Sequence, residues 1–141
     1  MTRALGLDLG TRRIGVALSD SAGTVATPYD VVTRSVDRMR DHARIAEVVD
    51  EAGVEVVVVG LPLSLDGSIG PAARAILDET DELRARLLVG VVTWDERLST
   101  VEAQQRLRAA GVKGRKGRRV VDQVAATVIL QSWLDAGQPR V

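Results

Sequence analysis

Residues 54–59, Val-Glu-Val-Val-Val-Val, constrain this chain more than any other feature. Valine is stiff at χ1 and suits a pleated surface, and a strand without polar alternation has no face to give to water. Such a run belongs at the centre of a sheet with helices above and below, the setting of parallel strands. The chain has 141 residues, 45% of them apolar but only 2% aromatic, with no Phe. The core on both faces must therefore be built from Val, Leu, Ile and Ala.

The flanking patterns supply the rest of the layers. Residues 3–9 alternate around Leu5, Leu7 and Leu9 and stop at Gly10, which predicts a strand entering a tight turn. A second strand carries Ile14, Val16 and Leu18, and Ser21-Ala22-Gly23 turns the chain into a third over 25–33. Links this short join antiparallel neighbours. From Ser35 the period lengthens to three and four residues through Met39, Ala43, Ile45 or Ala46, and Val49, and Gly53 stands where a helix should end.

After the valine run, residues 60–70 read as a loop, and Pro71 suits the first position of a helix through Ala75, Leu83 and Leu87. A strand follows over 88–94. Ser99 and Glu102 have capping-box spacing for a helix ending before Gly111, and a last helix spans 120–136. This order predicts an α/β fold with a mixed five-stranded sheet. Its edge is an antiparallel hairpin, its other strands are parallel, and helices cover both faces of a single domain over 1–141.

With no cysteine, the chain has no disulfides, thiolate metal ligands or thiol nucleophile, which fits a reducing compartment. No run of about 18 apolar residues offers a membrane span, and the expected location is cytoplasmic. Formal net charge is zero, yet Lys113-Gly114-Arg115-Lys116-Gly117-Arg118-Arg119 holds five cations and no acid. Such a stretch suits a polyanion. Scarce aromatics argue against base stacking as its main mode of recognition.

Ligand sites in such sheets lie beyond the carboxyl ends of the parallel strands. Asp8 sits at the end of the first strand between Leu7 and Leu9, where an acid either caps the Gly10-Thr11 turn or holds a cation. Asp95 and Glu96 follow a strand at the same edge, as an exposed turn or as partners of Asp8. Asp122 opens the last helix, where the helix dipole favours an acid in any case. Converging carboxylates without His or Cys suit hard divalent cations, Mg2+ or Mn2+. Two ions roughly 4 Å apart could serve phosphodiester hydrolysis without a protein nucleophile. Thr11, Arg12, Arg13 and Arg97 flank the acids, as phosphate contacts or as ion-pair partners. Lys113, Arg115, Lys116, Arg118 and Arg119 are the stronger candidates for binding nucleic acid. His42, the single histidine, is read as a solvent-exposed residue of the first helix rather than a catalytic one.

The segments Gly6-Leu7-Asp8-Leu9-Gly10-Thr11, Arg13-Ile14-Gly15-Val16-Ala17, Gly60-Leu61-Pro62-Leu63, Asp66-Gly67-Ser68, Asp95-Glu96-Arg97-Leu98-Ser99-Thr100 and Val121-Asp122 closely resemble the bacterial YqgF family, also called RuvX. The resemblance covers almost the whole chain in order. It implies an RNase H-like fold related to the junction resolvase RuvC, and it makes Asp8, Glu96 and Asp122 the catalytic acids and metal ligands, favouring Glu96 over Asp95. It also implies a hydrolase, a nuclease either of the small-subunit ribosomal RNA precursor, the first choice, or of Holliday junctions. Expected partners are structured RNA or branched DNA and ribosomal particles, with the chain a monomer or homodimer and no membrane involved. Ser64 departs from the Asn of many members. Two other classes compete. Asp-x-Gly-Thr before a hairpin also occurs in actin-like ATPases and sugar kinases, but those need a second domain and a second phosphate loop. A non-catalytic nucleic-acid-binding module would use the basic stretch alone.

Overall fold

The computed structural model describes residues 2–98 and 118–140, the side chains of 118–123 excepted. The helix expected from Ser99, and the cations Lys113, Arg115 and Lys116, lie outside the described residues. Strands β1 (Ala4–Leu9), β2 (Arg13–Ser19) and β3 (Ala26–Thr33) precede α1 (Arg38–Ala52), β4 (Val56–Leu61), α2 (Pro71–Arg86), β5 (Gly90–Asp95) and α3 (Arg118–Asp135). They form one five-stranded sheet in the order β3-β2-β1-β4-β5. The pairs β1–β2 and β2–β3 are antiparallel, and β1–β4 and β4–β5 are parallel, so the expected mixed sheet is present.

Strand alternation divides the core into two layers. Leu5, Leu7, Leu9, Val57 and Val59 pack with Ile45, Val48 and Val49 of α1 and Leu83 of α2. On the opposite face Ala4, Ala17, Val56 and Val58 pack with Ala126, Ile129, Leu130 and Trp133 of α3. Val56 to Val59 are fully buried, as a strand covered on both faces requires, but β1 and not β4 is the middle strand of the five, lying between β2 and β4. Helix α3 approaches β1 closely at Gly6. A Cβ on Gly6 would stand 2.7 Å from Leu130 Cβ and 3.0 Å from the Ala126 carbonyl oxygen. Only a residue without a side chain lets the helix lie this close to β1.

Element ends differ from the expected ones for local reasons. Val54 is not strand: with Gly53 it closes α1, the Val54 amide donating to Val49 O at 3.0 Å and the Gly53 amide to Asp50 O at 3.4 Å. This is the Schellman pattern, with Gly53 left-handed at φ 63°. Gly60 and Leu61, expected in a loop, extend β4 because they pair with Trp94 and Asp95 of β5. Helix α3 starts at Arg118, so Arg118 and Arg119 form its first turn rather than the end of a loop. His42 corrects the sequence reading: it is buried on α1, at 4% exposure, because it shares the inward stripe with Ile45 and Val49.

Candidate active site

The site is set by where β1, β4 and β5 end. Leu7 pairs with Val59 and Gly60 pairs with Trp94, so the rows of Asp8, Gly60 and Trp94 adjoin at the carboxyl edge of the sheet. Even-numbered β1 residues face α3, and Trp94 shares that face, its Nε1 donating to Ser132 Oγ at 3.0 Å. Asp8 is partly buried at the end of this row. The chain then turns, the Gly10 amide donating to Asp8 O at 3.0 Å. Glu96 begins a short 3-10 turn, Glu96–Leu98, directly after β5. Asp8, Thr11 and Glu96 line one cavity of about 430 Å³ together with Arg34, Arg38 and Glu79.

Electrostatics tie the two acids together. Burial pushes the Glu96 carboxyl above the ordinary carboxylate range, and the negative charges of Asp8 and Asp95 push it further. Asp95 goes the other way, because the Arg97 guanidinium holds it below that range. Arg97 grips Asp95 through Nη2 to Oδ2 at 2.7 Å and Nε to Oδ2 at 3.0 Å, and its Nη1 donates to Leu65 O at 3.1 Å. Asp95 is thus engaged by Arg97, whereas Glu96 lines the cavity. Arg97 also staples the 64–68 loop to the end of β5.

Gly60 gives Glu96 its space. A Cβ there would lie 2.8 Å from Glu96 Oε1 and 2.5 Å from Ile129 Cδ1. Gly60→Ala must therefore displace the Ile129 and Glu96 side chains, the carboxylate among them. We expect this variant to keep a cooperative melt while losing about 10- to 100-fold in cleavage rate, because angstrom-scale displacement of a reacting group has effects of that size. Parallel melting and single-turnover measurements check it, and an unchanged rate would show that Glu96 tolerates the shift.

The other expected site residues are distributed as follows. Thr11 is exposed on the cavity rim, and Arg13 opens β2 opposite Thr33. Asp122 belongs to α3 four residues before Ala126, one helical turn, with its side chain outside the described residues. Among the described residues no three His, Asp or Glu side chains are placed to hold one ion together. The described pair itself suits a hard divalent cation: it offers only oxygen donors, it is partly buried, and its charges repel.

Sequence reasoning did not assign Arg34 or Glu79 to the site, took Gly60 only as part of a family segment, and read His42 as exposed. Arg34 forms a fork with Glu79, Nη1 to Oε2 at 2.9 Å and Nη2 to Oε1 at 2.8 Å, and His42 Nε2 lies 2.7 Å from Glu79 Oε2. Burial would raise the Glu79 carboxyl, but the bonds from His42 and Arg34 outweigh it and hold the group at about 2. An ionised carboxylate only accepts, so His42 donates from Nε2. The available signal was periodicity: Glu79 falls on the inward stripe of α2 between Ile76 and Leu83.

The strand order and the two helical layers are those of an RNase H-like α/β fold. RuvC from T. thermophilus, solved in complex with a Holliday junction substrate, has the same fold, with a TM-score of 0.64 at 16% identity over 99% of both chains. The RuvX family model, described as Holliday junction resolvase, matches residues 2–136, and the chain belongs to that family. A relative from Desulforudis audaxviator is 48% identical over 95% of this chain and 94% of that protein, and one from Myxococcus xanthus is 50% identical over 97% and 90%. Each is named "Putative pre-16S rRNA nuclease". No described helix is long and apolar enough to cross a membrane.

Proposed function

We propose that the chain is a cytoplasmic, single-domain, divalent-cation-dependent nuclease that trims the precursor of the small-subunit ribosomal RNA. Asp8, Glu96 and Asp122 would hold the cation, with a pair of Mg2+ or Mn2+ ions the expected load. The observation that carries this reading is the shared cavity of Asp8 and Glu96, in which like charges raise each other's cost and oxygen donors alone are offered. The names of the full-length relatives favour RNA.

When bound, the cation supplies a Lewis acid and an activated water, so the protein needs no nucleophile of its own. The chain's residues position. Asp8 is fixed by β1 and the Gly10 turn, and Glu96 by the Asp95–Arg97 pair on either side of it. The Thr11 hydroxyl on the cavity rim is available to a phosphate oxygen. Helix α3 runs antiparallel to β1, since Gln131 meets Ala26 at the level of Ala4 while Ala126 meets Gly6. One turn further back, the backbone of Asp122 continues toward the Asp8 end of the strand, which supports the third acid.

A second reading, cleavage of branched DNA, is favoured by the family description and by the RuvC fold. Purified protein with Mg2+, given 5'-extended precursor RNA and a four-way DNA junction side by side, separates the two. We expect RNA cleavage leaving 5'-phosphate and 3'-hydroxyl ends, abolished by EDTA and restored by Mg2+ or Mn2+. Junction cleavage without RNA cleavage would reverse the order. Neutralising Lys113, Arg115, Lys116, Arg118 and Arg119 should flatten the salt dependence of binding, the slope falling by about 0.7 to 0.9 for each phosphate no longer neutralised. An unchanged slope would place phosphate binding elsewhere.

A further inference from the structure

One buried ionic cluster beside the acids is not accounted for by the cation-binding carboxylates. The side chains of Arg34, Glu79 and His42 are 15%, 4% and 5% exposed. Burying charges is expensive, and apolar residues of similar volume in place of a buried ionic cluster are often as stable or more so. Stability alone therefore does not account for the cluster. Its connections do. Beyond the fork to Glu79, the Arg34 Nε–H reaches the carbonyl of Gly10 at 2.7 Å. The Gly10 amide in turn donates to Asp8 O at 3.0 Å, and the Arg34 amide donates to Arg12 O at 2.9 Å. The turn leaving β1 is thereby held from both sides by one residue.

We propose that Arg34 is a positioning residue for Asp8, orienting the turn behind that carboxylate while Glu79 and His42 hold the guanidinium in place. Its functional consequence rests on the nuclease reading. Arg34 lines the same cavity as Asp8 and Glu96, but its charge is matched by Glu79 and each of its side-chain nitrogens has a protein acceptor. The matched charge and the Nε bond favour the turn over a substrate phosphate as its main partner. Arg38, with Nη1 2.7 Å from Glu82 Oε2, closes the outer side of the cluster.

The test is Arg34→Lys, which keeps the charge but loses the planar fork and the Nε bond. At a temperature where the variant is fully folded, the single-turnover rate at saturating RNA should fall about 10- to 100-fold, with KM and salt slope unchanged. Exchange of the Gly10 amide should quicken about tenfold, as expected when a local closure is loosened. A normal rate with a lowered melting temperature would make the cluster purely structural and overturn the proposal. A raised KM with a shallower salt slope would also overturn it, making Arg34 a phosphate ligand. If the wild-type protein cut neither RNA nor junctions, the nuclease reading would fail by itself, and Gly10 exchange would still decide on positioning. Should Arg34→Lys not fold, His42→Ala leaves Arg34 intact and should show a smaller loss of the same kind. His42→Gln, which keeps a donor toward Glu79, should restore the rate, and no loss in His42→Ala would count against the proposal.

Discussion

Asp8→Asn is expected to lower phosphodiester cleavage by roughly 10^3-fold or more while leaving the fold and most of the substrate affinity in place, because it removes charge worth several kcal/mol to the transition state and little else. Asn matches Asp in shape, so the end of β1 and the turn closed by the Gly10 amide have no reason to move. What changes is charge. One of two carboxylates that repel across the cavity disappears, and Glu96 should return toward the ordinary carboxylate range. Relief of that repulsion makes an unchanged or slightly raised melting temperature the expected companion of lost activity. Sites built for function often exchange stability for charge in this way. Three measurements decide it: single-turnover cleavage with Mg2+, RNA affinity by anisotropy, and thermal unfolding. Full activity in Asp8→Asn protein, purified from a host lacking its own copy, would remove Asp8 from the chemistry. Lost activity together with a lowered melting temperature would make it a structural residue instead.

The layer plan was readable in the sequence because its causes are local or periodic. A valine run that lacks polar alternation can only be a two-sided strand, and Val56 to Val59 are fully buried. Gly53 was legible as a helix stop since it acts through the backbone of its neighbours. The proximity of Asp8 and Glu96 followed from the rule that strand ends gather at one edge, and both residues line one cavity. What stayed hidden depends on partners distant in sequence. The end of β4 is set by pairing of Gly60 with Trp94 and Leu61 with Asp95, which no pattern inside residues 54–61 encodes. His42 read as exposed because a lone polar residue on a helix usually is. Its burial is tolerable only because Glu79, 37 residues away, accepts from it. Glu79 read only as one of a run of acids, although its place between Ile76 and Leu83 distinguished it from Asp78, Asp81 and Glu82.

That same partnership sets the acid stability of the fold. The Glu79 carboxyl titrates at about 2 in the folded protein against an ordinary 4.5. On acidification the unfolded chain therefore takes up this proton first. The stabilisation is complete above the unfolded value of 4.5 and drains away as pH falls through the folded value near 2. The shift corresponds to about 3 kcal/mol, a figure that the 4% exposure of the side chain leaves largely unscreened. Glu79→Gln should accordingly lose about 3–5 kcal/mol at neutral pH, since it strands the buried Arg34 guanidinium without its counter-charge. Domains are stable by only about 5–15 kcal/mol, so a substantial fraction of the variant could unfold at the growth temperature. The gap between wild type and variant should hold steady from pH 7 down to 4.5 and narrow below it as the wild-type carboxylate becomes protonated. Other depressed acids such as Asp20, Asp66 and Asp95 are common to both proteins and cancel in the difference. Urea titrations of both proteins across this range measure the gap directly. A difference that stayed constant to pH 2.5 would mean that Glu79 stabilises the fold through packing rather than through its charge.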